Sequence, residues 1–427
     1  TNPVPSCRHA LRQRWRATRP ERSVAAFVSK SDILRVPHAE PEAGSVLGRL
    51  NYWVRLRFIG LRNRLITNPG FRDWVLKVPV LRRIAHREAA GLFDLAAGFV
   101  YSQVLAAFVA LELPDALAHG PRTLHELAAK SGLQPAAMRR LLRAAAGIRL
   151  AEKLPGDRFA LGPAGAALVG NPGVCAMITH HRHLYADLAD PVALLRANRE
   201  ADTALGRFWR YAGVDPAERA GVLSAEDTDA YSELMRTSQI ALVEEVLAGF
   251  SFAGVRKQLD IGGGYGYFLT RVLCANPQLE GILFDLPSVA ARAGERFAES
   301  GLTGRVQAIG GDFAVDPLPV GADLITLLRV LHDHDDTVVE ALLRAAWQAL
   351  PAEGRLLIAE PLADAPGFAS VGDTYFGMYL FAMGTGRPRT AAELTAMLSA
   401  AGFERIRVRQ SRMPLEGTLI EAQKPAL

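Results

Sequence analysis

The residues most able to do chemistry lie where short apolar runs end in the second half of the chain. Asp260 lies in the run LDIGG, Asp285 in GILFDL and Asp312 in RVQAIGGDF, while His332 follows ADLITLLRVL and Glu360 ends RLLIAE. An imidazole can take a proton from a hydroxyl near neutral pH, and a carboxylate beside it can orient the ring and stabilise its charged form. These residue types indicate acid–base chemistry next to a polar ligand.

Helical patterns separate these runs. The runs cover residues 259–263, 281–286, 305–313, 322–331 and 355–360, and the helical patterns cover residues 266–275, 288–300 and 336–350. Buried strands that alternate with helices predict an α/β fold with a Rossmann-like, doubly wound parallel sheet. Such sheets bind ligands at the carboxyl ends of their strands, so the five residues are expected at one edge.

The first run leads into a glycine-rich turn. Asp260 is followed by Gly262, Gly264 and Gly266 in the pattern D-x-G-x-G-x-G. Glycines permit a tight turn and a close approach of backbone to ligand. A dinucleotide loop, G-x-G-x-x-G, is excluded because its third glycine falls on Tyr267 when it is counted from Gly262.

This pattern favours S-adenosylmethionine as the ligand, because that cofactor has no diphosphate and carries an ammonium group. Asp260 is predicted to help hold the cation and Asp285 to accept both ribose hydroxyls. Asp312 is predicted to accept the adenine amino group, with Phe313 covering the ring. Any one of these acids alone would more often be a helix cap or a surface charge; three in register after a glycine loop favour the cofactor.

His332 opens the segment His-Asp-His-Asp-Asp after the fourth predicted strand. That is where a general base for a hydroxyl nucleophile would have to lie. Glu360, at the end of the fifth strand, is predicted to orient the imidazole. Asp335 and Asp336 are predicted to cap the following helix. The alternative is a structural histidine.

The first half of the chain contains a winged-helix pattern over about residues 120–170. Thr123 and Glu126 form a capping box, two helical segments follow, and a hairpin is expected to turn at Pro155-Gly156-Asp157. Such a unit serves either in DNA binding or as a dimer scaffold. The apolar residues of the second helix favour the scaffold.

Charge is distributed unevenly. The first 90 residues contain 18 Lys and Arg against 6 Asp and Glu, a net charge of +12, whereas the whole chain has +5, so the other 337 residues carry −7. Aromatic and basic residues interleave over residues 47–87. This segment is predicted either to lie on an anionic membrane or to form a helical arm with solvated charges.

The most apolar stretch, residues 95–111, is predicted to form a buried core or dimer helix within a long helix over residues 91–119 that stops near Pro114, rather than a membrane span. Residues 1–45 are predicted to form a flexible basic arm, with a transit peptide or an over-extended start as alternatives. Three widely spaced cysteines make a disulfide framework or cysteine zinc site improbable and favour a cytoplasmic location.

His180, His181 and His183 form a cluster that invites a metal hypothesis. No carboxylate or cysteine joins them at helical ligand spacing apart from Asp187, so a role in lining a pocket or on the surface is preferred and no metal is expected.

The stretches LDIGGGYGYF, ILFDLPSV, GGDF, LLRVLHDHDD and LLIAEPLAD make residues 90–425 resemble the plant-type O-methyltransferases of small molecules, which include acetylserotonin and caffeate enzymes. The resemblance implies a helical dimerisation domain, a homodimer and S-adenosylmethionine as cofactor. It gives cofactor roles to Gly262, Asp285, Asp312 and Phe313, and the base role to His332. Asp333 and Glu360 would support that base.

Three positions depart from the family pattern. Leu328 stands where plant members have lysine, so the contact with the methionine carboxylate of the cofactor passes to Arg329. His334 replaces a tryptophan. The glutamate that flanks the base from a later loop is missing near residues 387–390, which leaves the second orienting carboxylate open.

Residues 61–75 and 92–105 resemble a narrower branch, the bacterial enzymes that methylate the tertiary 1-hydroxyl of acyclic carotenoids such as hydroxyneurosporene. This implies a large apolar substrate, carotenoid biosynthesis and peripheral contact with an anionic membrane at its cytoplasmic face. Side chains expected to line the substrate tunnel, or else to be plain core, are Phe376, Met378, Tyr379, Phe381 and Met383.

The predicted organisation is an arm over residues 1–45, a helical dimerisation domain with a winged helix over 46–200 and a cofactor-binding methyltransferase domain over 201–427. Alternative acceptors are a phenol, a polyketide or a tetrapyrrole. Outside the enzyme class, the alternative is a winged-helix DNA-binding regulator with an inactive cofactor domain. No nucleic acid is expected as partner.

Overall fold

The computed structural model describes residues 46–209, 240–365, 370–409 and 417–426. The chain divides into two compact units, residues 1–86 and residues 87–427. The arm predicted over residues 1–45 lies outside the described residues.

The described part of the first unit is helical, which is compatible with both a helical arm and a segment that lies on a membrane. Helix α1 covers Val46–Thr67, α2 covers Pro69–Lys77, and α3 starts at Pro79 and ends at Ala110. The Asn68 side chain accepts a hydrogen bond from the N–H of Phe71 (3.0 Å), and Pro69 occupies the first turn of α2, where its missing N–H is harmless. Large apolar side chains exposed on α1 and α2 include Tyr52, Trp53, Leu56, Phe58, Leu61, Ile66 and Trp74.

The long helix predicted over residues 91–119 has the wrong boundaries. Helix α3 ends at Ala110, and a short helix α4, Leu113–Ala118, follows after Glu112 adopts the left-handed conformation (φ 51°). Pro114 lies in the first turn of α4, where proline is tolerated, so it does not stop a helix.

Helix α3 is 32 residues long, and the mean hydropathy of its most apolar window is 1.7, so by length and composition it would be able to cross a membrane. Only 6% of that window is buried. Phe93 and Phe99 are exposed, whereas Phe108 near the end of the helix is buried. Within the stretch predicted as a core or dimer helix, residues 95–111, Leu95 and Val100 are exposed, whereas Val104 and Val109 pack against the buried cluster that contains Phe108.

The predicted order of helix, helix and hairpin is confirmed. The elements are β1 (Arg122–Thr123), α5 (Leu124–Ser131), α6 (Pro135–Gly147), β2 (Ala151–Leu154) and β3 (Arg158–Leu161), with the strands in the order β1-β3-β2. Both hydrogen bonds of the Thr123–Glu126 capping box are present. Asp157 turns the hairpin at φ 53° and binds Arg139 Nη1 of α6 through both carboxylate oxygens (2.7 and 2.6 Å), so this arginine holds the hairpin.

Short helices connect this region to the larger sheet. Those within the described residues are α7 (Pro163–Ala166), α8 (Pro172–Asp187), α9 (Pro191–Ala197), α10 (Ala204–Trp209) and α11 (Ile240–Gly249). The two carboxylate oxygens of Asp187 accept hydrogen bonds from the N–H groups of Ala204 (2.6 Å) and Leu205 (2.8 Å). This carboxylate therefore ties the end of α8 to the start of α10.

The second half forms the predicted α/β sheet. Its elements are β4 (Lys257–Ile261), α12 (Tyr267–Ala275), β5 (Glu280–Asp285), α13 (Pro287–Glu299), β6 (Val306–Gly310), β7 (Leu324–Leu328), α14 (Asp336–Ala349), β8 (Arg355–Glu360), α15 (Gly377–Met383), α16 (Ala391–Ala400), β9 (Glu404–Arg409) and β10 (Thr418–Gln423). The strand order is β6-β5-β4-β7-β8-β10-β9, and the first five strands are parallel.

Two antiparallel strands, β9 and β10, extend the sheet beyond the prediction. Strand β9 has the sequence Glu-Arg-Ile-Arg-Val-Arg, which lacks the apolar run that marks the parallel strands. It is mostly exposed. Strands β6 and β7 end before their predicted limits, at Gly310 and Leu328. The residues that follow each strand are consequently free to turn over the edge of the sheet.

Helices cover both faces of the parallel strands. Ile325 and Leu327 of β7 belong to one buried cluster, and Leu324 and Leu328 belong to the cluster on the opposite face. This two-sided burial explains why the central strands are continuous apolar runs.

A pair of glycine substitutions tests the packing of the loop after β4. Gly264 (φ 58°) has open space where a Cβ would lie, whereas a Cβ on Gly266 (φ 76°) would clash with the ring of the buried Phe297. We expect Gly264→Ala to cost about 1 kcal/mol of stability for its backbone conformation and Gly266→Ala to cost about 1 to 3 kcal/mol more for overpacking. Urea unfolding of both variants measures the difference, and equal losses would contradict this packing.

Candidate active site

The glycine loop lies directly on the carboxyl ends of neighbouring strands. It runs from the end of β4 to Gly266, the residue that precedes α12. A Cβ on Gly262 would lie 2.8 Å from Val330 Cγ2, and one on Gly263 would clash with the carboxylate of Asp260. The backbone of the loop therefore lies closer to the strand ends than a side chain would permit. The side of the loop that faces away from the strands remains available to a ligand.

Asp260 lies beneath this loop and is 1% exposed. Its Oδ1 accepts a hydrogen bond from Thr326 Oγ1 (2.7 Å), while its buried Oδ2 has no hydrogen-bond partner. Burial raises the pKa of Asp260 to about 7, against the lowering effect of the Thr326 bond and with a smaller contribution from Asp285. An unpaired buried carboxylate oxygen fits a site that receives a positive charge. Sequence reasoning missed Thr326, which lies in an apolar run.

Asp285 ends β5 and binds the loop from the side. Its Oδ2 accepts a hydrogen bond from the N–H of Gly264 (2.8 Å), and its Oδ1 accepts one from the N–H of Leu286 (2.7 Å). Burial raises the pKa of Asp285 to about 6, although both N–H bonds oppose the shift. Each oxygen keeps a second lone pair, so the carboxylate can still accept two hydroxyl groups.

Asp312 and Phe313 follow β6 in a turn. Asp312 Oδ1 accepts a hydrogen bond from the N–H of Ala314 (2.9 Å), and the Asp312 N–H donates to Asp316 Oδ2 (2.8 Å). The Phe313 ring meets the His334 ring edge-on, with centroids 5.1 Å apart. His334, from the loop that follows β7, thus supports the Phe313 ring, which is predicted to cover adenine.

The geometry around His332 depends on one buried carboxylate. Glu360 ends β8 and is 2% exposed. Its Oε1 accepts hydrogen bonds from the N–H groups of Val330 (2.8 Å) and Leu331 (2.7 Å), and its Oε2 lies 2.6 Å from His332 Nδ1. Because Glu360 accepts as an ionised carboxylate would, Nδ1–H is the donor, and Nε2 is the nitrogen that can take up a proton.

Asp333 lies on the other side of the same imidazole, with its Oδ1 3.1 Å from His332 Nε2. Burial disfavours the charged ring, but the carboxylates of Asp333 and Glu360 outweigh burial, so the pKa of His332 is raised above its ordinary value. The site therefore stabilises the imidazolium that proton transfer would create. Asp333 is thus a second carboxylate beside His332. The family pattern has a glutamate from a later loop beside this histidine, and that glutamate is missing near residues 387–390.

Arg329 follows β7 in the left-handed conformation (φ 55°), which is uncommon outside glycine. Its N–H donates to the carbonyl of Ala359 (2.9 Å), so the conformation is held by the neighbouring strand. Leu328, at the position of the family's lysine, is only 7% exposed. Arg329 is the more accessible of the two side chains.

Asp335 is the N-cap residue of α14 and Asp336 lies in its first turn, as predicted, but the side-chain hydrogen bond of a cap is not made. Asp335 Oδ1 instead accepts from Arg199 Nη1 (2.9 Å) and from the N–H of Gly386 (3.1 Å). Asp336 lies in the first turn and binds Arg387 and Arg389. Both carboxylates thus bind the segment around residue 387, which no sequence signal indicated.

An aromatic cluster lies next to His332. A π-helix over residues 370–376 precedes α15, and π-helices are frequent at functional sites. The Phe376 ring centroid is 6.2 Å from that of His332 and 5.0 Å from that of Tyr375. The Tyr375 hydroxyl lies 2.6 Å from His181 Nε2. The cluster therefore connects His181 of α8, through Tyr375, to the Phe376 ring next to His332.

A second polar chain crosses the same cluster. Trp209 Nε1–H donates to the Tyr379 hydroxyl (2.8 Å), and the same hydroxyl is hydrogen bonded to His180 Nε2 (2.7 Å). Burial lowers the pKa of His180 to about 3, so this ring is neutral. Among the described residues no group of three or more His, Cys, Asp or Glu could hold a metal ion. His180 and His181 instead bind tyrosine hydroxyls.

A parallel α/β sheet with a glycine loop, acids at successive strand ends and a carboxylate-oriented histidine defines an S-adenosylmethionine-dependent methyltransferase. The family model described as an O-methyltransferase domain matches residues 185–404, and the O-methyltransferase dimerisation domain model matches residues 93–171. The chain belongs to this O-methyltransferase family, and its relatives include O-methyltransferases. The dimerisation domain indicates a homodimer.

Relatives and solved structures are similar over most of the chain. It is 43% identical to demethylspheroidene O-methyltransferase of Cereibacter sphaeroides, over 85% of this chain and 94% of that protein, and 38% identical to the enzyme of the same name from Rhodobacter capsulatus, over 88% and 90%. The crystal structure of CalO1, a methyltransferase of calicheamicin biosynthesis with SAH bound, is 30% identical and covers 80% of this chain and 98% of its own at a TM-score of 0.65.

The cofactor is S-adenosylmethionine, and this chain's residues fit it. The unpaired Oδ2 of Asp260 suits the neighbourhood of a cation, the loop that includes Gly264 presents bare backbone, and Asp285 keeps two free lone pairs. When bound, the cofactor supplies an electrophilic methyl group.

Substitution of Asp333 tests the electrostatics of the imidazole without any acceptor. In Asp333→Asn one of the two carboxylates that raise the pKa of His332 becomes neutral, so that pKa should fall, and the ring should lose its proton at lower pH than in the wild type. The ¹⁵N shifts of labelled histidine, assigned with His332→Gln, measure it. Glu340→Gln on the exposed side of α14 is the matched control. An unchanged titration in Asp333→Asn would refute this electrostatic account.

Proposed function

We propose that this enzyme methylates the tertiary 1-hydroxyl of an acyclic carotenoid and that His332 is its general base. The chemistry is supported by one observation above all: Glu360 leaves Nε2 of His332 as the proton-accepting nitrogen at the carboxyl edge of the sheet. The acceptor is supported by the 43% and 38% identity to enzymes named for demethylspheroidene.

In the proposed reaction His332 Nε2 takes the proton of the acceptor hydroxyl while that oxygen is methylated; bound S-adenosylmethionine would supply the methyl group. A tertiary alcohol is much less acidic than a phenol, so proton loss accompanies methylation. Glu360 holds the tautomer and Asp333 stabilises the imidazolium that results. Orientation of the acceptor hydroxyl at His332 supplies much of the rate enhancement, up to about 7–11 kcal/mol in well-oriented systems.

The cofactor roles proposed for individual residues follow their positions. The backbone at Gly262, Gly264 and Gly266 provides the close approach, and Asp285 accepts the ribose hydroxyls. Asp312 accepts the adenine amino group and Phe313 covers the ring. Asp260 supplies negative charge from beneath the loop, and Arg329 pairs with the methionine carboxylate in place of the missing lysine.

The acceptor is proposed to lie along Phe376, whose ring faces the imidazole. Tyr379 and Met383 pack in a buried cluster with Leu184 of α8, so their own part is mostly structural. Met378 and Phe381 are partly exposed on the same short helix. An apolar wall with satisfied tyrosine hydroxyls suits a long hydrocarbon acceptor better than a polar one.

Removal of the imidazole tests the base. We expect His332→Ala to lower kcat by about 100 to 10,000-fold, because general bases contribute in this range, while the affinity for the cofactor stays within about twofold. Methyl transfer from labelled S-adenosylmethionine and calorimetry with S-adenosylhomocysteine measure the two quantities. His125→Ala, at an exposed histidine, is the control. A normal rate in His332→Ala would remove the base assignment.

The acceptor itself is tested by incubation with hydroxylated acyclic carotenoids, phenols and tetrapyrroles, with mass detection of the product. We expect a gain of one methyl group on the carotenoid and none on the others. Transfer to a phenol or tetrapyrrole alone would replace the carotenoid proposal and leave the methyltransferase assignment intact.

We also propose that helices α1 and α2 contact an anionic membrane at its cytoplasmic face, where a carotenoid acceptor would reside. Trp53 and Trp74 expose 64% and 38% of their surface, and Arg57, Arg64 and Arg72 are exposed between them. Exposed indole rings and basic residues together suit the headgroup region of an anionic bilayer.

Liposome flotation of the full chain tests this contact. We expect binding to vesicles with anionic lipid that weakens as salt rises, and little binding to neutral vesicles. The double variant Arg57→Glu and Arg64→Glu should float less, whereas Arg292→Glu, an exposed arginine on α13, should float as the wild type does. Equal binding to both kinds of vesicle at low salt would contradict the proposal.

A further inference from the structure

The segment around residue 387 lies against the turn that carries His332. The Arg387 N–H donates to the carbonyl oxygen of His332 (3.0 Å), and a Cβ on Gly386 would clash with that same oxygen. Thr385 Oγ1 donates to the carbonyl of Asp333 (3.0 Å). The backbone of the turn is therefore held from outside the sheet as well as by Glu360.

Arg389 makes the most extensive of these contacts and is 2% exposed. Its Nη1 donates to the carbonyl of Leu331 (2.6 Å), and its Nη2 donates to the carbonyl of His334 (2.7 Å). Its Nε and Nη2 also donate to Asp336 Oδ1 (3.0 and 2.7 Å). The two carbonyls bracket His332 and its neighbour in the sequence, so one planar group spans the segment that carries the imidazole.

The backbone of Arg389 is joined to the strand of Glu360. The N–H of Ala363, three residues after Glu360, donates to the carbonyl of Arg389 (2.9 Å). The side chain of Arg389 thus holds the turn of His332, and its main chain holds the segment that continues from β8. These are the two segments that the 2.6 Å contact between His332 and Glu360 must bring together.

We propose that Arg389 is a positioning residue that sets His332 against Glu360. The proposal rests on the base role of His332 proposed above. A buried guanidinium is costly unless its donors are satisfied, and here two carbonyls and a carboxylate satisfy them. Lysine keeps the charge but lacks the planar fork that reaches separate acceptors at once, so it should not replace arginine.

Arg387 is a matched control, because it shares Asp336 with Arg389. Its side chain binds Asp336, Glu393 and the carbonyl of Pro388, and it is 37% exposed. None of these acceptors lies in residues 331–334. If only the lost charge or the lost contact with Asp336 mattered, the same substitution would have the same effect at residue 387 and at residue 389.

The experiment compares Arg389→Lys and Arg389→Met with Arg387→Lys and Arg387→Met in the full chain. We expect Arg389→Lys to lower kcat by about 10- to 100-fold, as misplacement of a catalytic group does, with the dissociation constant of S-adenosylhomocysteine within about twofold. The pKa of His332, read from ¹⁵N shifts without any acceptor, should fall toward 6.5 as the carboxylate contact loosens. Both Arg387 variants should retain the wild-type rate and titration.

The His332 titration keeps this proposal separate from the identity of the acceptor. If no carotenoid is methylated but Arg389→Lys still shifts the titration, the acceptor proposal fails and the positioning role stands. A wild-type titration in Arg389→Lys, or equal effects at Arg387, would overturn the positioning role. Failure of both Arg389 variants to bind S-adenosylhomocysteine would also overturn it, since the arginine would then support the whole domain.

Discussion

The active site depends on a single buried carboxylate, that of Glu360. It accepts two backbone N–H groups from the turn after β7 and the Nδ1–H of His332, so it connects the ends of two parallel strands and fixes a tautomer at once. A buried carboxylate is costly unless it is hydrogen bonded. The hydrogen bonds that stabilise the buried charge of Glu360 also orient the imidazole of His332, so the same contacts serve the fold and the chemistry.

The other charges at this edge of the sheet follow from the same condition. Asp260 and Asp285 are withdrawn from solvent, and burial raises the pKa of each, whereas the carboxylates around His332 raise the pKa of the ring. Burial disfavours the ionised forms of Asp260 and Asp285, so a cation bound next to them would stabilise their negative charge, just as Asp333 and Glu360 stabilise a charged imidazole.

Much of the fold was predictable from local pattern. The central strands are buried on both faces and so are continuous apolar runs, and the helices between them follow a helical period. Strand β9 was not predicted because it is an exposed edge strand with only two apolar residues, Ile406 and Val408, and so lacks a continuous apolar run. The boundary near Pro114 was wrong because a proline fits the first turn of a new helix as well as it ends an old one.

The sequence by itself determined the chemistry available: a glycine turn, acids at successive strand ends and a histidine after the fourth strand, since parallel strands bring their carboxyl ends to one edge. Tertiary structure alone decided how these groups are used. The fold buries Asp260 beneath the glycine loop. It also directs the Asp336 carboxylate toward Arg389 and not toward the N-terminus of α14, the helix that Asp336 begins. Contacts between residues 58 positions apart, such as that of Arg389 with Leu331, leave no local signal, because they arise only when distant loops fold over the same sheet edge.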